Sequence, residues 1–210
     1  MNYLSVENIS KSYGERVLFD NVSFGINKDQ KIAFIAKNGS GKTTIMNMIN
    51  GLDEPDSGQV VIRKEINMAF LSQNNNLQDE LTIEENIFAS DNEILKVIER
   101  YEKALENPND EEAYQRAFDD MDRHNAWDFE TQFKQILYKL KLEDLKMKVK
   151  NMSGGQKKRL SLAIILISKP DLLILDEPTN HLDLEMIEWL EDYFAKENIT
   201  LFMVTHDRFF

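Results

Sequence analysis

The fold is decided by a glycine-rich stretch, Ala36-Lys37-Asn38-Gly39-Ser40-Gly41-Lys42-Thr43. The apolar run before it, Lys31–Ile35, predicts a short buried strand, and the segment after it, residues 42–50, predicts a helix that ends at Gly51. The stretch matches the P-loop pattern except at its first position, where glycine is usual and alanine stands here. A strand, a glycine loop and a helix in this order predict an α/β fold built around a phosphate-binding loop.

The stretch has the chemistry of a phosphate site. Backbone N–H groups of such a loop converge on phosphate oxygens, and the N-terminus of the following helix adds the positive end of its dipole. Gly39 and Gly41 allow the main chain to approach closely and to adopt unusual dihedral angles. Lys42 is expected to reach the β- and γ-phosphates of a nucleotide, and Thr43 to ligate Mg²⁺. The other predicted nucleotide-binding residues here are Asn38, Ser40 and Thr44. The alternative is a strand-to-helix turn that binds no ligand.

A carboxylate pair, Asp176 and Glu177, follows the fully apolar run 172–175. The run predicts a buried strand, and ligands of open parallel sheets lie at the carboxyl ends of strands. We therefore expect this strand and the strand before the P-loop to end at the same edge of the sheet. There Asp176 would hold Mg²⁺ through water, and Glu177 would act as general base on the attacking water. Taken alone, the pair could be an ordinary solvated strand end.

Short apolar runs and helical periodicities alternate along the rest of the chain. The strand predictions are residues 3–6, 17–24, 60–63, 67–71 and 199–204. The helix predictions are residues 94–105, 113–121, 129–140, 156–168 and 184–195. Alternating strands and helices predict a mostly parallel sheet covered on both faces, which a helical block interrupts.

A second glycine-containing segment, Met152-Ser153-Gly154-Gly155-Gln156, lies between the P-loop and the carboxylate strand. It resembles the signature sequence of ATP-binding-cassette (ABC) ATPases, with methionine in place of the usual leucine. The physical basis of such a segment is a helix N-terminus, where Ser153 and backbone N–H groups can bind an anion. In an unknown chain, the same residues would indicate a serine N-cap followed by flexible glycines.

The resemblance implies roles for further residues and implies ATP and Mg²⁺ as cofactors. Tyr13 matches the aromatic residue that stacks on adenine, Gln73 the glutamine that senses Mg²⁺ and the attacking water, and His206 the histidine that contacts the γ-phosphate. The implied catalytic residues are Glu177, His206, Gln73 and Lys42. The implied metal-site residues are Thr43, Gln73 and Asp176. The implied signature residues, acting in trans, are Ser153, Gly154, Gly155 and Gln156.

The resemblance also implies an architecture and a partner. The expected fold is a P-loop NTPase with a mostly parallel sheet, an antiparallel β subdomain and a helical signature subdomain. Residues 1–90 and 157–210 would form the RecA-like core with the antiparallel part, and residues 91–156 the helical subdomain with a short arm-like insertion. In this family two cassettes meet head to tail. A second cassette, in the same full-length chain or in a homodimer, would therefore complete each ATP site.

Two segments resemble one branch of the family. Pro178-Thr179-Asn180-His181-Leu182-Asp183 and Thr205-His206-Asp207-Arg208-Phe209-Phe210 are similar to the ABC-F subgroup, whose members carry two cassettes on one chain and no membrane domain. The short helical insertion resembles Uup-type members. The resemblance implies a soluble ATPase that hydrolyses ATP with Mg²⁺ and acts on ribosomes or another nucleic-acid machine. The alternatives are the motor subunit of a membrane transporter and a non-hydrolysing nucleotide switch, and Glu177 argues against the switch.

Composition restricts these functions further. The 210 residues are 42% hydrophobic and 30% charged, without cysteine, and no apolar run approaches the roughly 20 residues of a membrane span. We expect no membrane insertion. No signal-peptide pattern opens the chain, and the need for ATP favours the cytoplasm. The sequence stops so soon after its last predicted strand that we expect a C-terminally truncated piece of a longer protein.

The net charge of −12 is unevenly distributed. Residues 91–130 carry 13 acidic and 5 basic side chains, whereas residues 139–150 are rich in lysine. The acidic block indicates a solvated helical face, which nucleic-acid phosphates would repel. If the full-length protein binds ribosomes, we expect a linker outside this chain to make much of the RNA contact.

Overall fold

Strands and helices alternate in the computed structural model, which describes residues 1–35, 39–71, 77–89, 92–106, 110–180 and 182–205. The strands are Asn2–Tyr13 (β1), Arg16–Asn27 (β2), Lys31–Ile35 (β3), Ser57–Ile62 (β4), Met68–Leu71 (β5), Leu172–Asp176 (β6) and Thr200–Thr205 (β7). The helices are Lys42–Ile49 (α1), Ile83–Phe88 (α2), Glu93–Glu106 (α3), Glu111–Arg123 (α4), Ala126–Lys139 (α5), Gly154–Ser168 (α6) and Leu184–Lys196 (α7). These elements belong to two compact units, residues 1–74 with 169–210, and residues 75–168.

The first unit contains two sheets. β1 pairs antiparallel with both β2 and β4, whereas β3, β7, β6 and β5 form, in this order, a parallel sheet. The predicted parallel sheet with an antiparallel β part is therefore confirmed. Because β3 and β6 flank β7 and run parallel to it, the strand before the P-loop and the carboxylate strand end at the same edge.

The core of the first unit is filled by the apolar runs that predicted its strands. β6 and β7 are buried along their whole length, as expected for parallel strands that are covered on both faces. α1 adds Ile45, Met46 and Ile49 to this core, and the Phe202 ring on β7 stacks on Phe24 of β2 with centroids 5.6 Å apart. Burying a side chain of this size contributes about 1.5–3 kcal/mol. The core therefore holds the ends of β6 and α1 in place.

The second unit is helical. α3, α4 and α5 pack against one another around aromatic side chains. The Trp127 ring lies 5.0 Å from that of Tyr101 and 5.2 Å from that of Phe118, and its indole N–H donates to Asp122 Oδ1 at 2.6 Å. α5 also contacts α6, whose start carries the signature residues.

The helical unit consists of residues 75–168 and includes α2 and the whole of α6. Backbone hydrogen bonds join residues 79–84 to residues 145–150, and α6 packs on α5, so both flanks belong to the helical unit. α2 was missed by the sequence analysis because it has only six residues. Its signal was present, since Thr82 and Glu85 form the capping box that opens it.

Candidate nucleotide-binding site

The P-loop ends in a glycine turn that leads directly into α1. Gly39 and Gly41 have φ angles of +78° and +90°, in the left-handed region that favours glycine. A Cβ on Gly41 would lie 2.9 Å from the Phe19 ring, so a side chain there would require the ring to shift as well as strain the backbone. Gly41 is the N-cap of α1, whose first residue is Lys42. Because the glycines have no side chains, the backbone at the N-terminus of α1 is accessible to an anion.

Three charged side chains lie beside this turn. Lys42 and Asp176 are each only 8% exposed, and Lys42 Nζ lies 3.7 Å from Glu177 Oε1. Asp176 ends β6. Glu177 follows it with a φ of +49° and donates its N–H to the Val204 carbonyl of β7 at 2.9 Å. Burying a charged side chain costs free energy unless the charge is compensated. Buried charged side chains are therefore often found at binding and catalytic sites.

These groups line one open cavity of about 540 Å³. The predicted site residues that it brings together are Tyr13, Gly39, Gly41, Lys42, Thr43, Thr44, Asp176 and Glu177. An aromatic ring, a phosphate-binding turn, a cation and two carboxylates therefore share one site, which is the combination that a nucleoside triphosphate with its metal ion requires.

The site fits a polyphosphate and its metal ion. The buried hydroxyl of Ser40 hydrogen-bonds to none of the described residues, so a polar group in the P-loop is left for a ligand. In the part of the chain that the structure describes, no three His, Asp or Glu side chains are grouped as metal ligands. Mg²⁺ is usually bound by one or two protein side chains together with substrate phosphates and water. Thr43 and Asp176 therefore suit an ion that arrives with the nucleotide.

Arg16, Leu18 and Asn180 also line the cavity and were not predicted. Arg16 Nη2 donates to the Gly39 carbonyl at 3.2 Å, which places a second cation beside the P-loop. The sequence feature that could have indicated Arg16 is its position directly after the turn that follows Tyr13. Asn180 lies in the segment 178–183, which indicated the ABC-F subgroup but no role in the cavity.

The signature residues lie in the helical unit, where α6 begins at Gly154. The Ser153 Oγ accepts the N–H of Gln156 at 3.2 Å, and the Ser153 N–H donates to Gln156 Oε1 at 2.8 Å. This is a capping box, which satisfies two of the free N–H groups at a helix start. Ser153 and Gly154 are exposed. The serine N-cap alternative is therefore what these side chains do here, and anion binding in trans stays a prediction.

Several residues named by the sequence analysis lie outside the described residues: Ala36, Lys37, Asn38, Gln73, His181 and His206. The structure therefore places two of the predicted catalytic residues, Lys42 and Glu177, and two of the predicted metal-site residues, Thr43 and Asp176. The roles of Gln73 and His206 rest on the resemblance.

Similar proteins are found among both known sequences and solved structures. The family model described as ABC transporter matches residues 19–180. The uncharacterized ABC transporter ATP-binding protein YfmR of Bacillus subtilis is 41% identical, over 100% of this chain and 34% of YfmR. The energy-dependent translational throttle protein EttA of Mycobacterium tuberculosis is 32% identical, over 98% of this chain and 38% of EttA. ABC transporter F family member 2 of Arabidopsis thaliana is 38% identical, over 98% of this chain and 32% of that protein.

The chain thus spans about a third of the length of the curated relatives it matches. The solved structure of an ATP-binding subunit of an ABC transporter shares the fold, with a TM-score of 0.66 and 23% identity over 97% of this chain and 79% of that chain. The family match includes the P-loop, the signature segment and the carboxylate pair, and the F-family relatives confirm the resemblance to ABC-F proteins. The chain therefore belongs to the ABC transporter family, as an ATP-binding cassette.

Proposed function

We propose that this chain is an ATP-hydrolysing cassette of the ABC-F type, in which the cavity beside the P-loop binds Mg²⁺-ATP and a second cassette completes the catalytic site. The observation that supports this most directly is the grouping of Lys42, Asp176 and Glu177 in the cavity that Tyr13 also lines. A glycine loop alone would support only phosphate binding. A carboxylate placed beside it supplies the general base that hydrolysis requires.

We assign each residue of the cavity a role that matches its chemistry. The N–H groups at the start of α1 and the Lys42 ammonium bind phosphate oxygens. Thr43 and Asp176 would hold Mg²⁺, which would supply charge neutralisation at the phosphates. Glu177 accepts a proton from the attacking water. Because Lys42 lies against Glu177, binding of phosphate exchanges this ion pair for one between Lys42 and the nucleotide and leaves Glu177 to act as a base. Gln73 and His206 join the site as the resemblance implies.

The signature residues are proposed to serve the ATP of another cassette. Ser153 and Gly154 are exposed at the start of the 15-residue helix α6, whose N–H groups and dipole favour an anion. ABC cassettes work as dimers or with a second cassette. One chain would then contribute a P-loop half-site to one ATP and a signature half-site to the other.

We further propose that the full-length protein works in the cytoplasm on translation. The similarity to EttA, a translational throttle protein by name, supports this role. A transporter subunit is the alternative, since similar solved structures are cassettes of transporters. Among the described residues, no helix is long and apolar enough to cross a membrane. The acidic surface of α3 and α4 disfavours RNA, so the lysine-rich segment 139–150 or chain outside these residues would make the RNA contacts.

The hydrolysis proposal is tested by Glu177→Gln in the full-length protein. The variant is expected to keep ATP binding and to lose turnover by roughly 10²–10⁴-fold, which is the contribution of a positioned general base. ATP affinity and phosphate release are the measurements. Glu185→Gln, which changes an exposed carboxylate on α7, is the matched control and should hydrolyse at the normal rate. Turnover of Glu177→Gln at the wild-type rate would show that Glu177 is not the base.

The cellular role is tested by co-sedimentation of the Glu177→Gln full-length protein with ribosomes in the presence of ATP. Retention on ribosomes that requires ATP would support the translational role. Association with a membrane protein instead, measured by copurification from detergent extracts, would support the transporter alternative.

A further inference from the structure

The hydroxyl of Tyr13, the residue assigned to the base of ATP, has a specific partner. Tyr13 Oη donates to Asp53 Oδ2 at 3.0 Å, across 40 positions of sequence. Tyr13 as a residue is 57% exposed and lines the same cavity as the P-loop. The hydroxyl of this exposed tyrosine is fixed, whereas its ring remains accessible from the cavity. The ring is therefore positioned to stack on a ligand.

Lys11 holds the other oxygen of the same carboxylate. Its Nζ donates to Asp53 Oδ1 at 2.8 Å and to the Glu54 carbonyl at 2.6 Å, and its side chain is only 10% exposed. The hydrogen bond between the two groups raises the pKa of Lys11 and lowers the pKa of Asp53, so both stay charged near neutrality. The ammonium lies over one face of the Tyr13 ring, 5.5 Å from its centroid, while the residue as a whole stays largely exposed.

The segment that carries Asp53 is tied to the strand that carries Tyr13. Asp56 Oδ2 accepts the N–H and the hydroxyl of Ser12 at 2.8 and 2.9 Å, and the Asp56 N–H donates to the Ser10 carbonyl at 2.9 Å. Asp53 also follows closely after α1, the helix that begins at the P-loop. The phosphate end and the base end of the cavity are therefore joined through one short helix and the turn after it.

We propose that Asp53 and Lys11 are positioning residues that hold the Tyr13 ring in place before the nucleotide arrives, so that the base of ATP stacks on the face of the ring opposite Lys11. This inference rests on the proposed ATP function. Ordering a side chain during binding reduces affinity, and a ring that is held in advance avoids this loss. Phenylalanine could stack in the same way but could not be held in advance, because it has no hydroxyl to donate to the carboxylate.

The test compares ATP with tripolyphosphate, which has the phosphates and lacks the base, as ligands of the 210-residue chain in the presence of Mg²⁺. Asp53→Ala is expected to weaken ATP binding by about threefold to tenfold, the effect of ordering one side chain, and to leave tripolyphosphate binding unchanged. Glu54→Ala removes a neighbouring exposed carboxylate and keeps the backbone carbonyl that Lys11 binds, so both affinities should stay at their wild-type values. The dissociation constants are measured by calorimetry.

A second variant makes the test independent of how Asp53→Ala folds. Tyr13→Phe removes only the hydroxyl and should weaken ATP binding as Asp53→Ala does, and the double variant should be no weaker than either single one. Full ATP affinity in Tyr13→Phe, or equal losses for ATP and tripolyphosphate in Asp53→Ala, would overturn the positioning role and leave the proposed function intact. A wild-type chain that does not bind ATP would overturn both.

Discussion

The P-loop turn and the signature turn are both glycine-containing starts of helices, and they are built in opposite ways. At the P-loop turn, the first helical residue is a buried lysine beside two carboxylates, and Gly41 caps α1 without a side-chain hydrogen bond. At the signature turn, Ser153 and Gln156 cap α6 with their own side chains, and the surface is exposed.

The difference predicts which turn binds a ligand without a partner. The P-loop turn combines the ion pair between buried Lys42 and Glu177 with a buried Ser40 hydroxyl that hydrogen-bonds to none of the described residues. Burying polar and charged groups costs free energy unless partners compensate it. At the signature turn, the capping box satisfies two N–H groups, and the turn is exposed to solvent. It therefore carries no such cost, and we expect it to act only when another molecule binds there. The single chain should therefore bind nucleotide with its P-loop turn and stay insensitive to changes at its signature turn.

The largest effect is expected for Lys42→Ala. Loss of a charged hydrogen bond to phosphate should weaken ATP binding by the single chain roughly tenfold to hundredfold. Lys157→Ala, beside the signature turn, is the matched change and should leave the affinity unchanged. Calorimetry with ATP and Mg²⁺ measures both. Equal losses in the two variants would contradict the comparison.

The two glycines Gly41 and Gly154 should respond differently to alanine. Gly41→Ala forces a side chain into left-handed backbone against Phe19 and should reduce the free energy of unfolding by about 1–3 kcal/mol. A Cβ on Gly154 would meet no atom of the described residues within 4 Å, apart from its chain neighbours and its own helix backbone. Gly154→Ala should therefore be neutral or stabilising, by at most about 1 kcal/mol. Urea denaturation measures both values, and a strongly destabilised Gly154→Ala would show that the signature turn is not open.

Ser153→Ala should affect stability without affecting nucleotide affinity. Removal of an N-cap hydroxyl costs about 1 kcal/mol, because the Gln156 N–H loses its partner. Ser153→Thr keeps the hydroxyl and should keep most of the stability. Thermal denaturation and ATP titration of the single chain are the measurements. A loss of ATP affinity in Ser153→Ala would mean that the signature residues act on ATP without a second cassette.

The smallest effect is expected for the ion pair beside the signature turn. Lys157 Nζ lies 2.6 Å from Asp79 Oδ1, and both side chains are partly exposed. Asp79→Asn should reduce stability by less than about 1 kcal/mol, and the difference should vanish in about 1 M NaCl because exposed pairs are screened. Asp192→Asn, whose pair with Lys196 is longer and more exposed, should change nothing measurable. A loss that persists in high salt would contradict a purely electrostatic contact.

Most of the cavity could be predicted because its residues belong to local patterns. The run before Asp176 is apolar at every position, which predicts a buried strand, and its last residues fall at the carboxyl end, where ligands of parallel sheets lie. The P-loop and the signature segment are continuous stretches whose glycines and hydroxyls indicate their chemistry. α2 escaped prediction because six residues do not establish a period, although its capping box was visible in Thr82 and Glu85.

The sequence by itself determined the P-loop fold and the order of its main elements, and it named candidate phosphate and carboxylate residues, because each of these depends on neighbouring positions. Only the tertiary structure decided that Arg16 joins the cavity, that Lys42 rests against Glu177, and that Tyr13 is held by Asp53. Those contacts join residues far apart in the chain, and their geometry depends on how strands and helices pack. Sequence spacing cannot supply that information.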